Sequence, residues 1–251
     1  MLPYWLVVTL IGLLVGVFGT MSGGIVVLVV KKIQNNLLSV LLGISAGIMA
    51  AISFLDLIPE AINEGSIISA MIGILLGVGI IGLLDIKFPH HHLTLSTDGG
   101  AKCCPYLKTG ILLSIGIALH NLPEGVAIGA SFIVSYQTGL LLSIMIAVHN
   151  FPEGMAVAAA LCGGKIKAKK VLLITALAGV PMGIGAFLGV ALGGVSKWVL
   201  SISLGFAAGA MLYIVFDELI PDAHRKATGH SAIIGILTGI IVGIFIIEFI
   251  H

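Results

Sequence analysis

The sequence predicts an all-α polytopic membrane protein of eight transmembrane helices. Three observations predict it. First, 59% of the 251 residues are hydrophobic, only 9% are charged, and the mean hydropathy is +1.21. Soluble chains carry about 25% charged residues. Second, eight stretches reach the roughly 20 mostly apolar residues that cross a bilayer. Third, the basic residues gather in alternate connections.

Taken in order, α1 is expected over 4–30. It follows Met1 with no basic segment before it, so it reads as a spanning helix and not as a cleaved leader. Next, α2 covers 37–59 and α3 covers 66–86. A polar connection over 87–108 leads to α4 at 109–133 and α5 at 138–162. The last three are α6 at 171–195, α7 at 198–220 and α8 at 231–250. Residues 1–251 form one transmembrane domain with no room for a soluble one.

Lys31 and Lys32 follow α1; Lys87, Lys102 and Lys108 follow α3. Lys165, Lys167, Lys169 and Lys170 follow α5, and Arg225 and Lys226 follow α7. With eight alternating helices all of these share one face, and Lys197 is the exception. The positive-inside rule puts those loops in the cytoplasm and both termini outside a plasma (inner) membrane. The formal net charge of +1 leaves no basic tail for nucleic acid. Cys103 and Cys104 are adjacent and Cys162 is distant, which is poor material for a disulfide framework and fits a reducing compartment.

One hexapeptide occurs twice. His120-Asn121-Leu122-Pro123-Glu124-Gly125 returns 29 residues later as His149-Asn150-Phe151-Pro152-Glu153-Gly154. The copies lie mid-span in α4 and α5. Each charged group at a bilayer centre costs about 2.5–3.5 kcal/mol on insertion scales. A cation shared by two imidazoles and two carboxylates would offset that cost. His and Glu at i and i+4 share one helix face, so both pairs can converge at similar depth. Nitrogen and oxygen donors suit zinc, iron, manganese and related divalent ions. A single histidine could equally be a hydrogen-bonded core residue, and a single His-x-x-x-Glu an internal salt bridge; the duplication favours metal. Asn121 and Asn150 either ligate a second ion or hydrogen-bond between helices. Pro123 and Pro152 lack an N–H, which frees the carbonyls of Leu119 and Val148 and predicts a break that lets the site deform.

A second repeat has an offset of 162. Gly43, Ala46, Gly47, Met49, Phe54, Ile58, Pro59 and Ala61 return as Gly205, Ala208, Gly209, Met211, Phe216, Ile220, Pro221 and Ala223. The match continues from Ile72–Gly77 to Ile234–Gly239, so α2–α3 repeat as α7–α8. Helices α1 and α6 complete two three-helix units but match weakly. Three is odd, so the units have opposite orientations, giving a 3+2+3 arrangement with inverted repeats. Such repeats around a midplane polar site mark secondary transporters.

On these motifs the chain resembles the ZIP (Zrt-/Irt-like) divalent metal transporters, in their bacterial ZupT/GufA-like branch. The resemblance covers the whole chain. It implies eight helices, uptake of divalent cations into the cytoplasm, an elevator-like movement and a homodimer. It also implies that His120, Glu124, His149 and Glu153 form the transport site. Asn121 and Asn150 match second-site positions, and Met49 lies near a soft-ligand position of some members. Zinc is the expected cargo, with Fe2+, Mn2+ and Cd2+ compatible; no further cofactor is required. One departure stands out. The family's two-metal members carry a glutamate on α6, often directly before a proline, where this chain reads Ala178-Gly179-Val180-Pro181. A single-ion site is therefore expected.

Acidic residues end α2 and α7. Asp56, Glu60 and Glu64 are expected at the outer mouth of a path, and Asp217, Glu218 and Asp222, followed by His224, at the cytoplasmic mouth. Ordinary charged helix ends are the plainer reading of Glu60, Glu64 and Asp222. The connection before α4 holds His90, His91, His92, Cys103 and Cys104, which either bind metal or form a solvated loop. Gly185, Gly189 and Gly193, and Gly235, Gly239 and Gly243, are small-xxx-small faces for close packing. Two other classes compete: an intramembrane zinc metalloprotease, disfavoured by the missing H-E-x-x-H, and a non-transporting metal sensor.

Overall fold

The computed structural model describes residues 2–30, 34–87, 103–163, 166–227 and 229–250. Among them, eight helices are long and apolar enough to cross a membrane. They are α1 Tyr4–Val30, α2 Asn35–Glu64, α3 Ile67–Lys87, α4 Cys103–Val134, α5 Tyr136–Gly163, α6 Ala168–Gly193, α7 Lys197–Lys226 and α8 Ser231–Ile250. Helices are the open-ended answer to a medium without water, because every backbone N–H finds its partner within the same segment.

Two expected boundaries move. Both α2 and α7 continue past the prolines at which they were expected to stop. In each, a π-helical turn precedes the proline: Ser53–Leu57 before Pro59, and Val215–Leu219 before Pro221. A proline ring crowds the carbonyl four residues back. The wider π turn relieves that crowding, so the helix resumes over Ile58–Glu64 and Ile220–Lys226. Pro123, Pro152 and Pro181 lie inside α4, α5 and α6, which are continuous helices there. The helical segments therefore run through Pro123 and Pro152 without the expected interruption.

Buried residues fill 72% of the central windows of α4 and α5, against 28% for α3 and 22% for α8. The two hexapeptide helices thus form the centre and the apolar periphery faces lipid. The single residue Ser135 joins α4 to α5, so they run antiparallel; its Oγ accepts from the Thr138 N–H at 3.0 Å. Helix α5 packs on α1, and α4 packs on α6. Likewise α2 packs on α8 and α3 on α7.

These packings follow the sequence repeat. Ser39 Oγ, near the start of α2, donates to the Ala223 carbonyl near the end of α7 at 2.7 Å. Ser201 Oγ, near the start of α7, donates to the Ala61 carbonyl near the end of α2 at 2.6 Å. Both partners of the second bond are the 162-residue equivalents of the first, and the pair makes α2 and α7 antiparallel. Gly235 lies against Val40 as Gly73 lies against Ile202, and Gly239 against Ile44 as Gly77 against Phe206. Gly23 meets the Phe151 carbonyl of α5, and Gly185 meets the Leu122 carbonyl of α4. Those last residues are equivalent too, so α1 and α6 share a contact geometry that their sequences barely signal.

Candidate metal centre

His120, Glu124, His149 and Glu153 meet at the centre of the bundle, with ligand-capable atoms all within 4.8 Å of one another. The i, i+4 spacing brings each His and Glu to one face of its helix, and the antiparallel pairing turns the two faces together. Each is at most 3% exposed. His149 Nε2 lies 2.8 Å from Glu124 Oε1. His120 Nε2 lies 3.2 Å from Glu124 Oε1 and 3.4 Å from Glu153 Oε1. The Nδ1 atoms of both histidines and the Oε2 atoms of both glutamates have no hydrogen-bond partner. Buried polar atoms are rarely left so. A cation among them would use lone pairs that the protein leaves idle.

The asparagines flank this quartet. Asn121 Nδ2 donates to the Ala178 carbonyl at 2.8 Å, and Asn150 Nδ2 contacts Met182 Sδ at 3.9 Å. Both nitrogens thus bridge to α6, while both Oδ1 atoms are buried without a partner. Their contacts bracket Gly179, Val180 and Pro181 of that helix. A methyl group at Gly125 would overlap the Met182 carbonyl of α6, and one at Gly154 the Thr20 carbonyl of α1, so each hexapeptide glycine permits a close contact with one neighbouring helix.

Met49 is fully buried on α2, and its carbonyl accepts from Ser53 Oγ at 2.9 Å. Asp56 lies in the first π turn and is 6% exposed; Glu60 is half-buried one turn on. Glu64 pairs with Lys197 at 3.6 Å, which puts the one exceptional lysine beside the end of α2. Asp217 and Glu218 occupy the second π turn and are half-buried. The repeat makes Asp56 equivalent to Glu218 and Glu60 to Asp222. Asp222 pairs with Arg225 at 3.1 Å, and His224 Nδ1 lies 2.8 Å from the Ile220 carbonyl of its own turn. A crevice between α3, α4 and α7 is lined by both His120 and Glu218, with Ile81, Leu84, Leu119 and Ile214 as apolar walls. His90, His91 and His92 lie outside the described residues; Cys103 and Cys104 open α4, where the backbone alone is described.

Two residues of this region escaped the sequence reading. Ser45 of α2 places its hydroxyl 3.2 Å from Glu153 Oε1. Asp85 of α3 accepts from the Tyr213 hydroxyl of α7 at 3.4 Å, next to the crevice wall. A lone acid near the end of an apolar span is a usable signal for Asp85. A serine in a Gly/Ala-rich helix is not a signal.

Comparison with known proteins gives the family. Residues 86–250 match the family model described as ZIP Zinc transporter. The zinc transporter ZupT of Corynebacterium aurimucosum is 31% identical over 237 residues, covering 89% of each chain. That of Chlorobium luteolum is 35% identical over 250 residues, covering 93% of this chain and 94% of its own. The zinc transporter GufA of Myxococcus xanthus is 33% identical over 175 residues, 68% of this chain and 67% of its own. This is a family of transporters and not of enzymes. With two thirds of its length in the family model and relatives matching nearly end to end, the chain belongs to the ZIP transporter family.

Proposed function

We propose that the protein carries divalent metal cations, zinc foremost, across the plasma membrane into the cytoplasm, and that His120, Glu124, His149 and Glu153 hold the ion midway. The observation that carries this reading is the convergence of two imidazoles and two carboxylates within 4.8 Å at the buried centre of the bundle. The names of the relatives support zinc. Iron, manganese and cadmium share enough ligand chemistry to compete.

The ion enters past Asp56, Glu60 and Glu64, exchanges its waters for His and Glu ligands, and leaves past Glu218, Asp217 and Asp222 toward His224. The crevice that His120 shares with Glu218 supports that exit. The deep burial of Asp56, beside the half-exposure of its equivalent Glu218, suits a conformation open toward the cytoplasm. Both termini face outside, and the connection with His90, His91, His92, Cys103 and Cys104 faces the cytoplasm, where it receives or buffers imported metal. Asn121 and Asn150 tie the site to α6 and contribute at most a weak second site, given Ala178–Pro181; Met49 is an auxiliary soft donor. The chain forms one transporter domain of 3+2+3 helices, works as a homodimer, and moves α4 and α5 against the flanking units in an elevator-like step.

The test is radiotracer uptake of zinc, iron, manganese and cadmium into proteoliposomes. Wild type accumulates zinc. Glu124→Ala and His149→Ala, each removing a ligand, fall to the level of empty vesicles. Wild-type rates in both variants would sink the site assignment.

A further inference from the structure

The two halves of the molecule share a pair of equivalent hydrogen bonds, and they differ at the proposed transport site. Ser39 and Ser201 are equivalents with equivalent carbonyl partners. Ser45, a turn and a half further along α2, has no such twin: 162 residues later stands Ala207. Both are wholly buried.

The carboxylates they would serve are also equivalent, Glu153 to Glu124 through the 29-residue repeat. Glu124 Oε1 is approached by both imidazoles, at 2.8 and 3.2 Å. Glu153 Oε1 is approached by only one, His120 at 3.4 Å, and the Ser45 hydroxyl takes the other place at 3.2 Å. The same hydroxyl lies 3.1 Å from the His149 carbonyl. It has one proton and two acceptors. Without a cation the proton is shared, and Glu153 Oε1 is held toward His120.

We propose that Ser45 is a positioning residue for the cargo: from α2 it holds Glu153 Oε1 in place and keeps that bond when the ion arrives, leaving the unpartnered Oε2 to the ion. It thereby makes the two glutamates unequal, Glu153 tethered to a flanking helix and Glu124 held only within the α4–α5 pair. This rests on the reading of the quartet as the transport site.

The test compares wild type, Ser45→Ala, Ser45→Thr and Glu153→Ala in the full-length protein. Three quantities are measured: zinc affinity in detergent by equilibrium titration, KM and maximal uptake rate in proteoliposomes, and unfolding temperature without zinc. One charge-assisted hydrogen bond predicts that Ser45→Ala weakens zinc affinity and raises KM about tenfold. Its maximal rate stays within about twofold of wild type, because the bond is felt in binding, and its zinc-free unfolding temperature falls only slightly, because a single hydrogen bond of the ion-free site is lost. Ser45→Thr, which keeps the hydroxyl, recovers the affinity. Unchanged affinity in Ser45→Ala overturns the proposal. So does an equal loss in Ser45→Ala and Ser45→Thr with a markedly lowered unfolding temperature, which assigns the serine to packing alone. If Glu153→Ala abolishes binding while Ser45→Ala is silent, this proposal falls and the quartet stands; if Glu153→Ala binds zinc normally, both fall.

Discussion

Six polar side chains from two hexapeptides are buried inside the bundle. Each is an unusual choice for a bilayer centre, and each looks reasonable only with its partners. Glu124 faces two imidazoles, and His120 faces two carboxylates. Removing one member strands the others, because a buried charge without a partner is far costlier than an intact pair. The idle Nδ1 and Oε2 atoms give this a measurable side. An ion that binds the folded site stabilises the fold by mass action, about 2.7 kcal/mol at a hundredfold excess over its Kd. Zinc should therefore raise the unfolding temperature of the detergent-purified protein. The rise should vanish in Glu124→Gln, which keeps the size of the side chain and removes its charge. A zinc-dependent rise of wild-type size in that variant would place the ion elsewhere. Asn150→Ala should keep most of the rise, since the Asn150 nitrogen already faces Met182 and its amide oxygen adds at most a neutral donor.

At the scale of single helices, glycine decides what can touch. The α4–α6 and α5–α1 contacts are made by backbone against backbone. A methyl group at Gly185 would overlap the Leu122 carbonyl, and one at Gly23 the Phe151 carbonyl. Between lipid-like surfaces there is little hydrophobic drive for association, so such close packing and interhelical hydrogen bonds carry it. Gly185→Val should lower the unfolding temperature by the equivalent of about 1–3 kcal/mol, the usual cost of overpacking. Because Leu122 lies within the first hexapeptide, uptake should fall with it. Gly79, which has nothing within 4 Å of an added methyl, provides the contrast. Gly79→Ala should be neutral or slightly stabilising, because alanine is the better helix former by about 1 kcal/mol. Equal damage from both would remove packing as the explanation. The π turns belong to this scale as well. They set Asp56 and Glu218 at equivalent places and let α2 and α7 run through their prolines.

For the molecule as a whole, the proposed orientation is tested at the loops. In a variant with Cys103, Cys104 and Cys162 replaced by serine, a cysteine at exposed Asn63 should react with a membrane-impermeant maleimide on intact cells. A cysteine at exposed Lys167 should react only after permeabilisation. The opposite pattern would reverse the direction assigned to the path. The Glu64–Lys197 pair already joins the end of α2 to the start of α7, so Asn63 and Lys197 report on one side together. What the sequence by itself determined is considerable. Apolar length and charge spacing settled eight helices, because a bilayer demands both of any chain that crosses it. Duplication pointed to the four residues that converge, because spacing along a helix dictates which side chains share a face. Only the tertiary structure decided the rest. It kept α4 and α5 unbroken and carried α2 and α7 through their prolines, where a widened turn offsets what local propensity would forbid. It turned the asparagine nitrogens toward α6. It brought Ser45 to Glu153 across 108 positions of sequence, and no periodicity within one helix encodes a contact between two.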